Sequence, residues 1–164
     1  MGKLNLFDCD RKALESYFAD IGEKSFRAHQ LLKWIYQHGV INIESMSNLS
    51  NDLRAYLKEN TSVKLPEIIT EKKSKDGTKK WLIKVDEKNS IETVFIPEND
   101  RGTLCISTQV GCALDCKFCS TAQQGFSRNL TTSEIIGQVW VANKILGHFE
   151  NGNRMITNIV FMGM

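Results

Sequence analysis

The sequence contains no apolar run of the roughly 20 residues that a membrane-spanning helix requires. Its N-terminus lacks the apolar stretch of a secretory signal peptide, and neither an internal repeat nor a low-complexity tract is present. The sequence also lacks a large excess of one charge, because it has 21 Lys and Arg residues and 19 Asp and Glu residues. The net charge of +2 does not by itself indicate nucleic-acid binding. We therefore expect a reduced, cytoplasmic protein that makes no contact with a membrane.

Cysteine is rare over most of the chain and concentrated in one stretch. Four of the five cysteines, Cys105, Cys112, Cys116 and Cys119, lie within fifteen residues, and Cys9 stands apart. A secreted disulfide framework would scatter its cysteines along the chain. The clustering therefore favours a reduced protein.

The first 97 residues predict an α+β N-terminal domain. Apolar periodicity predicts a helical module over 1–62, with helices at 10–21, 25–38 and 50–60, and Ser25 is a candidate N-cap of the second. Pro66 marks a change to short alternating runs, which predict a small antiparallel sheet over 66–97. An Asp-Gly turn joins the first two strands of that sheet.

Residues 98–164 predict one βαβ unit. A strand is expected at 103–109, a helix at 130–147 with a Thr131-x-x-Glu134 capping box, and a buried parallel strand at 156–162. A parallel sheet does not end with a strand that is only half covered. We therefore interpret the chain as a fragment whose second domain is truncated.

Three of the cysteines have the spacing Cys112-x-x-x-Cys116-x-x-Cys119. Thiolates hold iron–sulfur clusters, and a four-iron cluster normally takes four of them. Three ligands on one short loop leave one iron open to a small chelating ligand, such as the amino and carboxylate groups of a methionine. We predict that the loop bends so that the three sulfurs converge on a [4Fe-4S] cluster. Gly111 eases the turn, and Phe118 is a candidate to pack against a bound adenine.

Zinc is the competing interpretation of this motif. A structural zinc site usually has four Cys or His ligands, often from paired C-x-x-C knuckles. This sequence has one C-x-x-C, and His29, His38 and His148 lie well away from it. The motif also lies after a predicted strand and before a βα crossover, where α/β barrels place their chemistry. Both features favour the cluster.

The surrounding residues match more than a generic cluster motif. The runs 111–130 (GCALDCKFCSTAQQGFSRNL), 134–140 (EIIGQVW) and 158–164 (NIVFMGM) closely resemble the RlmN-like family of radical S-adenosylmethionine methyltransferases, which act on adenosine C2 in 23S rRNA and tRNA. The runs 25–30 (SFRAHQ) and 34–36 (WIY) resemble that family's N-terminal domain, which implies an accessory, RNA-binding function for residues 1–97. The resemblance implies that 98–164 begins a radical SAM partial (β/α) barrel.

The resemblance also implies cofactors and partners. The cofactors would be a [4Fe-4S] cluster and S-adenosyl-L-methionine, with Cys112, Cys116 and Cys119 as metal ligands. The partners would be 23S rRNA, tRNA and an electron donor such as flavodoxin, and the protein would be a monomer.

Two further residues receive roles from the resemblance alone. In the family, a methylated cysteine near the C-terminus carries the methyl group to the adenine, and a second cysteine resolves the protein–RNA adduct by forming a disulfide bond. Cys105 matches the resolving cysteine, and Glu92 matches the family's proposed proton acceptor. The methyl-carrying cysteine is not in this sequence, and Cys9 does not match it. We therefore expect the chain alone to be inactive.

Periodicity alone gives plainer interpretations of several residues. Cys105 would be a small buried strand residue, and Glu92 an exposed one. Arg128 either contacts substrate or pairs with an acidic neighbour. The lysines of the predicted hairpin either meet RNA phosphates or form a solvated turn: Lys72, Lys73, Lys75, Lys79 and Lys80. The alternative functions are a related adenine-C8 rRNA methyltransferase and a non-catalytic RNA-binding fragment.

Overall fold

Helices dominate the first part of the chain and strands the second, so the architecture is α+β as predicted. The computed structural model describes residues 2–114 and 116–162. The chain divides into two units, Met1–Lys64 and Leu65–Met164. Among the described residues, no helix has the length and apolar character needed to cross a membrane.

The first unit is built on three helices. A short parallel strand pair and two 3-10 turns, Leu6–Asp8 and Ile43–Ser45, complete it. In chain order its regular elements are β1 (Leu4–Asn5), α1 (Arg11–Asp20), α2 (Phe26–Tyr36), α3 (Asn51–Asn60) and β2 (Thr61–Ser62).

Side-chain caps fix where two of these helices begin. The Asp10 carboxylate accepts a hydrogen bond from Ala13 N at 2.7 Å, and Ser50 Oγ accepts one from Leu53 N at 3.3 Å. Ser25 precedes α2 but makes no such bond, so the prediction that it caps this helix is wrong. Its backbone is already helical, with φ of −56° and ψ of −29°, whereas a capping side chain needs an extended backbone.

The second unit contains a five-stranded sheet in the order β3-β4-β5-β6-β9. Its elements are β3 (Glu67–Lys73), β4 (Lys79–Lys84), β5 (Ser90–Pro97), β6 (Gly102–Ser107), β7 (Gln109–Gly111), a 3-10 turn (Ala122–Gln124), β8 (Phe126–Asn129), α4 (Thr132–Ile145), α5 (His148–Asn151) and β9 (Asn158–Met162).

The predicted domain boundary at residue 97 does not coincide with the division of the chain at Lys64 and Leu65. The reason is that β5 pairs antiparallel with β6, from Val94 opposite Cys105 to Pro97 opposite Gly102. Cutting the chain after residue 97 would therefore cut through the sheet.

Helix α4 connects β6 to β9, and these two strands pair in parallel, which gives the predicted βαβ unit. The Thr131 and Glu134 capping box is present at the start of α4. Ala142 of this helix joins the hydrophobic core with Trp81 and Leu104 of the sheet.

Strand β9 differs from its prediction as a buried strand. Ile159, Val160 and Phe161 are 41%, 42% and 65% exposed. In the described part of the chain β9 pairs with β6 alone, so one of its edges and much of both its faces are accessible.

Two glycines close the base of the loop that carries the three cysteines. Strands β7 and β8 pair on either side of this loop, and Cys112 N donates a hydrogen bond to Gly125 O at 3.1 Å. Gly111 and Gly125 have φ values of +74° and +73°. A Cβ on Gly111 would lie 1.8 Å from Gly125 O, whereas a Cβ on Gly125 would meet nothing within 4 Å. The backbone approach therefore requires glycine at position 111.

These two glycines form a matched pair for measuring the cost of that approach. Gly125 has a φ of +73° and a ψ of 178°, a backbone region almost restricted to glycine that costs a residue with a side chain about 1–3 kcal/mol, so Gly125→Ala should destabilise the second unit by about that amount. Gly111→Ala should cost clearly more, because its Cβ also overlaps a carbonyl oxygen. Urea unfolding in a Trp34→Phe background would follow Trp81 and Trp140, which belong to the second unit. Equal losses of unfolding free energy in the two variants would contradict the close approach.

Candidate functional site

Strand register places Glu92 and Cys105 on one face of the sheet. Val94 lies directly opposite Cys105, and Glu92 is two residues from Val94 on the same strand. Such diagonal neighbours lie about 7–8 Å apart. We call this face, which Lys80 and Leu82 of β4 share with Val94, Glu92 and Cys105, the site face.

The opposite face is the one that α4 covers. Ile91, Thr93 and Phe95 alternate with the site-face residues of β5 and are buried. These three residues therefore point away from Glu92. Glu92 and Cys105 are both half-buried, which leaves their functional atoms accessible from the site face.

A cavity of about 240 Å³ lies on the site face. Its lining includes Glu92 and Ser107 from the sheet, and Gly111, Thr121 and Gln124 from the two ends of the cysteine loop. We call it the Glu92 cavity. It brings the predicted proton acceptor together with the segment that carries the predicted cluster ligands.

Glu92 is held at both its side chain and its backbone. Lys80 Nζ lies 2.6 Å from Glu92 Oε1, and Ser107 Oγ donates to Glu92 O at 2.6 Å. Ser107 is itself held by Gln138 of α4, whose Oε1 accepts from Ser107 N at 2.8 Å and whose Nε2 donates to Ser107 O at 2.9 Å. Gln138 Oε1 also accepts from Thr93 Oγ1 at 2.8 Å. This buried amide fixes α4 to both β5 and β6 behind Glu92.

The role of Gln138 was missed from the sequence. The signal was a single amide between Ile135 and Val139 on an otherwise apolar helix face. A polar side chain there is buried only where it has hydrogen-bond partners. The partners, Ser107 and Thr93, lie 31 and 45 residues from Gln138 in the sequence, so the helix pattern could not predict them.

The three motif cysteines lie in the loop between β7 and β8, and each is a half-buried free thiol. Leu114 N donates to Cys112 Sγ at 3.4 Å. Backbone N–H groups of Ala122 and Thr121 donate to Cys119 Sγ and hold the pKa of this thiol below its ordinary value. Backbone donors of this kind stabilise the thiolate form, which is the form that binds metal.

The predicted convergence of the three sulfurs is not seen. Among residues 2–114 and 116–162, no group of three or more His, Cys, Asp or Glu side chains is arranged to hold a metal ion. All five cysteines are free, so the structure gives no support for a disulfide bond.

Two other predicted contacts have different outcomes. Phe118 is 93% exposed, so its packing against an adenine stays a prediction. Arg128 pairs with acidic neighbours, through two bonds of 2.8 Å to Glu134 and one of 2.7 Å to Asp86. Hydrogen bonds from Asn89 and Arg128 hold the pKa of Asp86 below its usual range. Arg128 therefore fastens the start of α4 to the β4–β5 turn.

Comparison with known proteins shows which proteins the chain is similar to. Residues 4–63 match the family model described as ribosomal RNA large subunit methyltransferase N-terminal domain. Over 162 residues the chain is 58% identical to the protein named dual-specificity RNA methyltransferase RlmN from Alkalilimnicola ehrlichii. It is 51% identical over 162 residues to the protein of the same name from Marinobacter nauticus. Over nearly its whole length the chain is therefore similar to proteins named RlmN.

The shared part is less than half of each RlmN relative. These matches cover 98% and 99% of this chain but 44% of each relative. The crystal structure of a radical SAM methyltransferase from Sphaerobacter thermophilus is also similar, with a TM-score of 0.85 at 36% identity. That similarity covers 98% of this chain and 47% of the other.

The hydrogen bonds to Cys119 give a prediction about the pH at which its thiol is alkylated. Burial, with added effects of Asp8 and Asp10, raises the pKa of Cys9, whereas that of Cys119 is lowered. Because alkylation requires the thiolate, Cys119 should reach half-maximal labelling by iodoacetamide at a lower pH than Cys9. Mass spectrometry of the metal-free chain would give both midpoints. Each midpoint depends on the pKa of the thiol and not on its accessibility. Equal midpoints, or a lower midpoint for Cys9 than for Cys119, would contradict the hydrogen bonds to Cys119.

Proposed function

We propose that this chain forms the cluster-binding part of a radical S-adenosylmethionine methyltransferase that methylates C2 of adenosine in 23S rRNA and tRNA. The observation that carries the proposal is the Glu92 cavity, which joins a carboxylate to both ends of the cysteine loop. The names of the relatives, an RNA methyltransferase and a radical SAM methyltransferase, support it.

Cys112, Cys116 and Cys119 would hold three irons of a [4Fe-4S] cluster and leave the fourth iron to S-adenosyl-L-methionine. The donor set fits this group, since these are half-buried thiols and two of them accept backbone N–H bonds. Bound there, the cluster supplies the electron that cleaves the sulfonium of the cofactor. The exposed ring of Phe118 is proposed to pack against the cofactor's adenine.

Glu92 is proposed to accept the proton that adenine C2 loses when its methyl group is added. Lys80 engages Oε1 and stabilises the carboxylate, and Oε2 makes no hydrogen bond to the described residues. Oε2 is therefore the acceptor atom. The bond from Ser107 Oγ keeps the strand that carries Glu92 in place beside the cavity.

Cys105 is proposed as the resolving cysteine. It shares the site face with Glu92, and its half-buried sulfur is accessible to an adduct formed there. The β6–α4–β9 unit is proposed to begin the partial (β/α) barrel, since its two strands pair in parallel. A flavodoxin-like electron donor, a monomeric state and a cytoplasmic location complete the proposal.

Anaerobic reconstitution with iron and sulfide tests the ligand assignment. The chain should become brown, and Ala substitution of Cys112, Cys116 or Cys119 should abolish the visible absorption, because each removes a ligand. Cys105→Ala and Cys9→Ala are the matched controls, and both should keep it.

Two results would count against the assignment. One is equal loss of absorption in all five variants. The other is a colourless protein that retains stoichiometric zinc, which would favour the zinc alternative.

A further inference from the structure

The β3–β4 hairpin places lysines directly opposite one another in two successive cross-strand pairs. Lys72 lies opposite Lys80, and Lys73 lies opposite Lys79. Like charges in such positions are destabilising. Lysines on an edge strand protect it from pairing with another chain, which accounts for β3. That explanation does not extend to β4, which is paired on both sides within the sheet.

The two pairs lie on different faces of the sheet. Lys80 lies opposite Val94, which lies opposite Cys105, so the Lys72–Lys80 pair belongs to the site face. Two strand spacings of about 4.8 Å separate β4 from β6, which puts Lys80 about 10 Å across the sheet from Cys105. Lys79 lies opposite the buried Phe95, so its pair with Lys73 lies on the α4 face.

Charge on the site face is unbalanced at this end. Lys80 forms an ion pair with Glu92 and also lines the Glu92 cavity. Lys72 is exposed and forms no ion pair with any described residue. A cationic pair therefore runs up to the mouth of the cavity, and its natural ligand is an anion.

The hairpin holds these lysines in a fixed arrangement. In the turn, the Asp76 carboxylate accepts from Ser74 Oγ at 2.8 Å and from Thr78 N at 3.0 Å. The buried Trp81 anchors the strands, and its Nε1 donates to Glu71 Oε2 at 2.6 Å. A backbone that is already ordered loses less entropy on binding a partner than a mobile one does.

We propose that the Lys72–Lys80 pair binds phosphates of single-stranded RNA and leads the strand into the Glu92 cavity. This inference rests on the proposed function, because chemistry on an adenine ring requires the base to leave a stack. Backbone phosphates of an unstacked strand complement the two ammonium groups. Each phosphate contact contributes about −0.7 to the slope of log K against log salt for single strands.

The opposite pair supplies a matched control on the same hairpin. Lys72→Gln/Lys80→Gln and Lys73→Gln/Lys79→Gln each remove two charges and one like-charged pair, and each removes one lysine that faces a glutamate. Binding of a fluorescein-labelled single-stranded RNA of about 16 nucleotides is measured by anisotropy between about 50 and about 200 mM salt. The first variant should make the slope about 1.4 less negative, and the second should change it much less.

Lys72→Arg/Lys80→Arg should keep the slope of the unsubstituted chain, which separates lost charge from lost folding. An equal loss in both Gln variants, or no loss in the first, would overturn the proposal. Iron uptake by Lys72→Gln/Lys80→Gln should match that of the unsubstituted chain. Because iron uptake reports on the proposed function, a failed phosphate site is distinguishable from a failed cluster assignment.

Discussion

The close approach of the Gly111 backbone to Gly125 is the constraint on which the candidate site depends. It joins the two ends of the cysteine loop, through the bond from Cys112 N to Gly125 O and the β7–β8 pairing beyond it. Gly111 and Gln124, at the two ends of that loop, both line the Glu92 cavity. A side chain at position 111 would push these ends apart. The position of the thiols relative to the sheet therefore follows from one backbone contact.

The two faces of the sheet carry different kinds of side chain. The α4 face carries the core and the Gln138 amide, which links the helix to two strands through Thr93 and Ser107. The site face carries Glu92 and Cys105, for which roles are proposed, and Ser107 connects the two faces because its backbone binds Gln138 while its hydroxyl binds Glu92 O. Because side chains alternate between the two faces along each strand, residues of the core and residues of the site face alternate within the same strand. The ion pair between Lys80 and Glu92 therefore lies on the site face, away from the core.

Local patterns in the sequence predicted the local structure well. Alternation gave the faces of β5, and the capping box gave the start of α4. Contacts between distant residues were harder to predict from the sequence, because they depend on tertiary packing. Two examples are the β5–β6 pairing that joins the sheet across residue 97 and the hydrogen-bond partners of Gln138. Family resemblance selected Glu92 and Cys105 for roles that periodicity could not suggest, and the register shows that they share a face. The described residues do not arrange the three sulfurs to hold a metal ion, so their assignment as cluster ligands depends on their spacing and on the family resemblance.

The central claim is that Cys112, Cys116 and Cys119, and no other cysteines of the chain, are the ligands of an iron–sulfur cluster. Its most direct test is alkylation of the unsubstituted chain with iodoacetamide before and after anaerobic reconstitution, followed by peptide mass spectrometry. Without the cluster all five thiols should react, since all are free and none is fully buried. With the cluster these three should be protected while Cys9 and Cys105 still react. Protection of Cys105 or Cys9 in place of a motif cysteine, or reaction of all five in a protein that has retained iron, would contradict the claim.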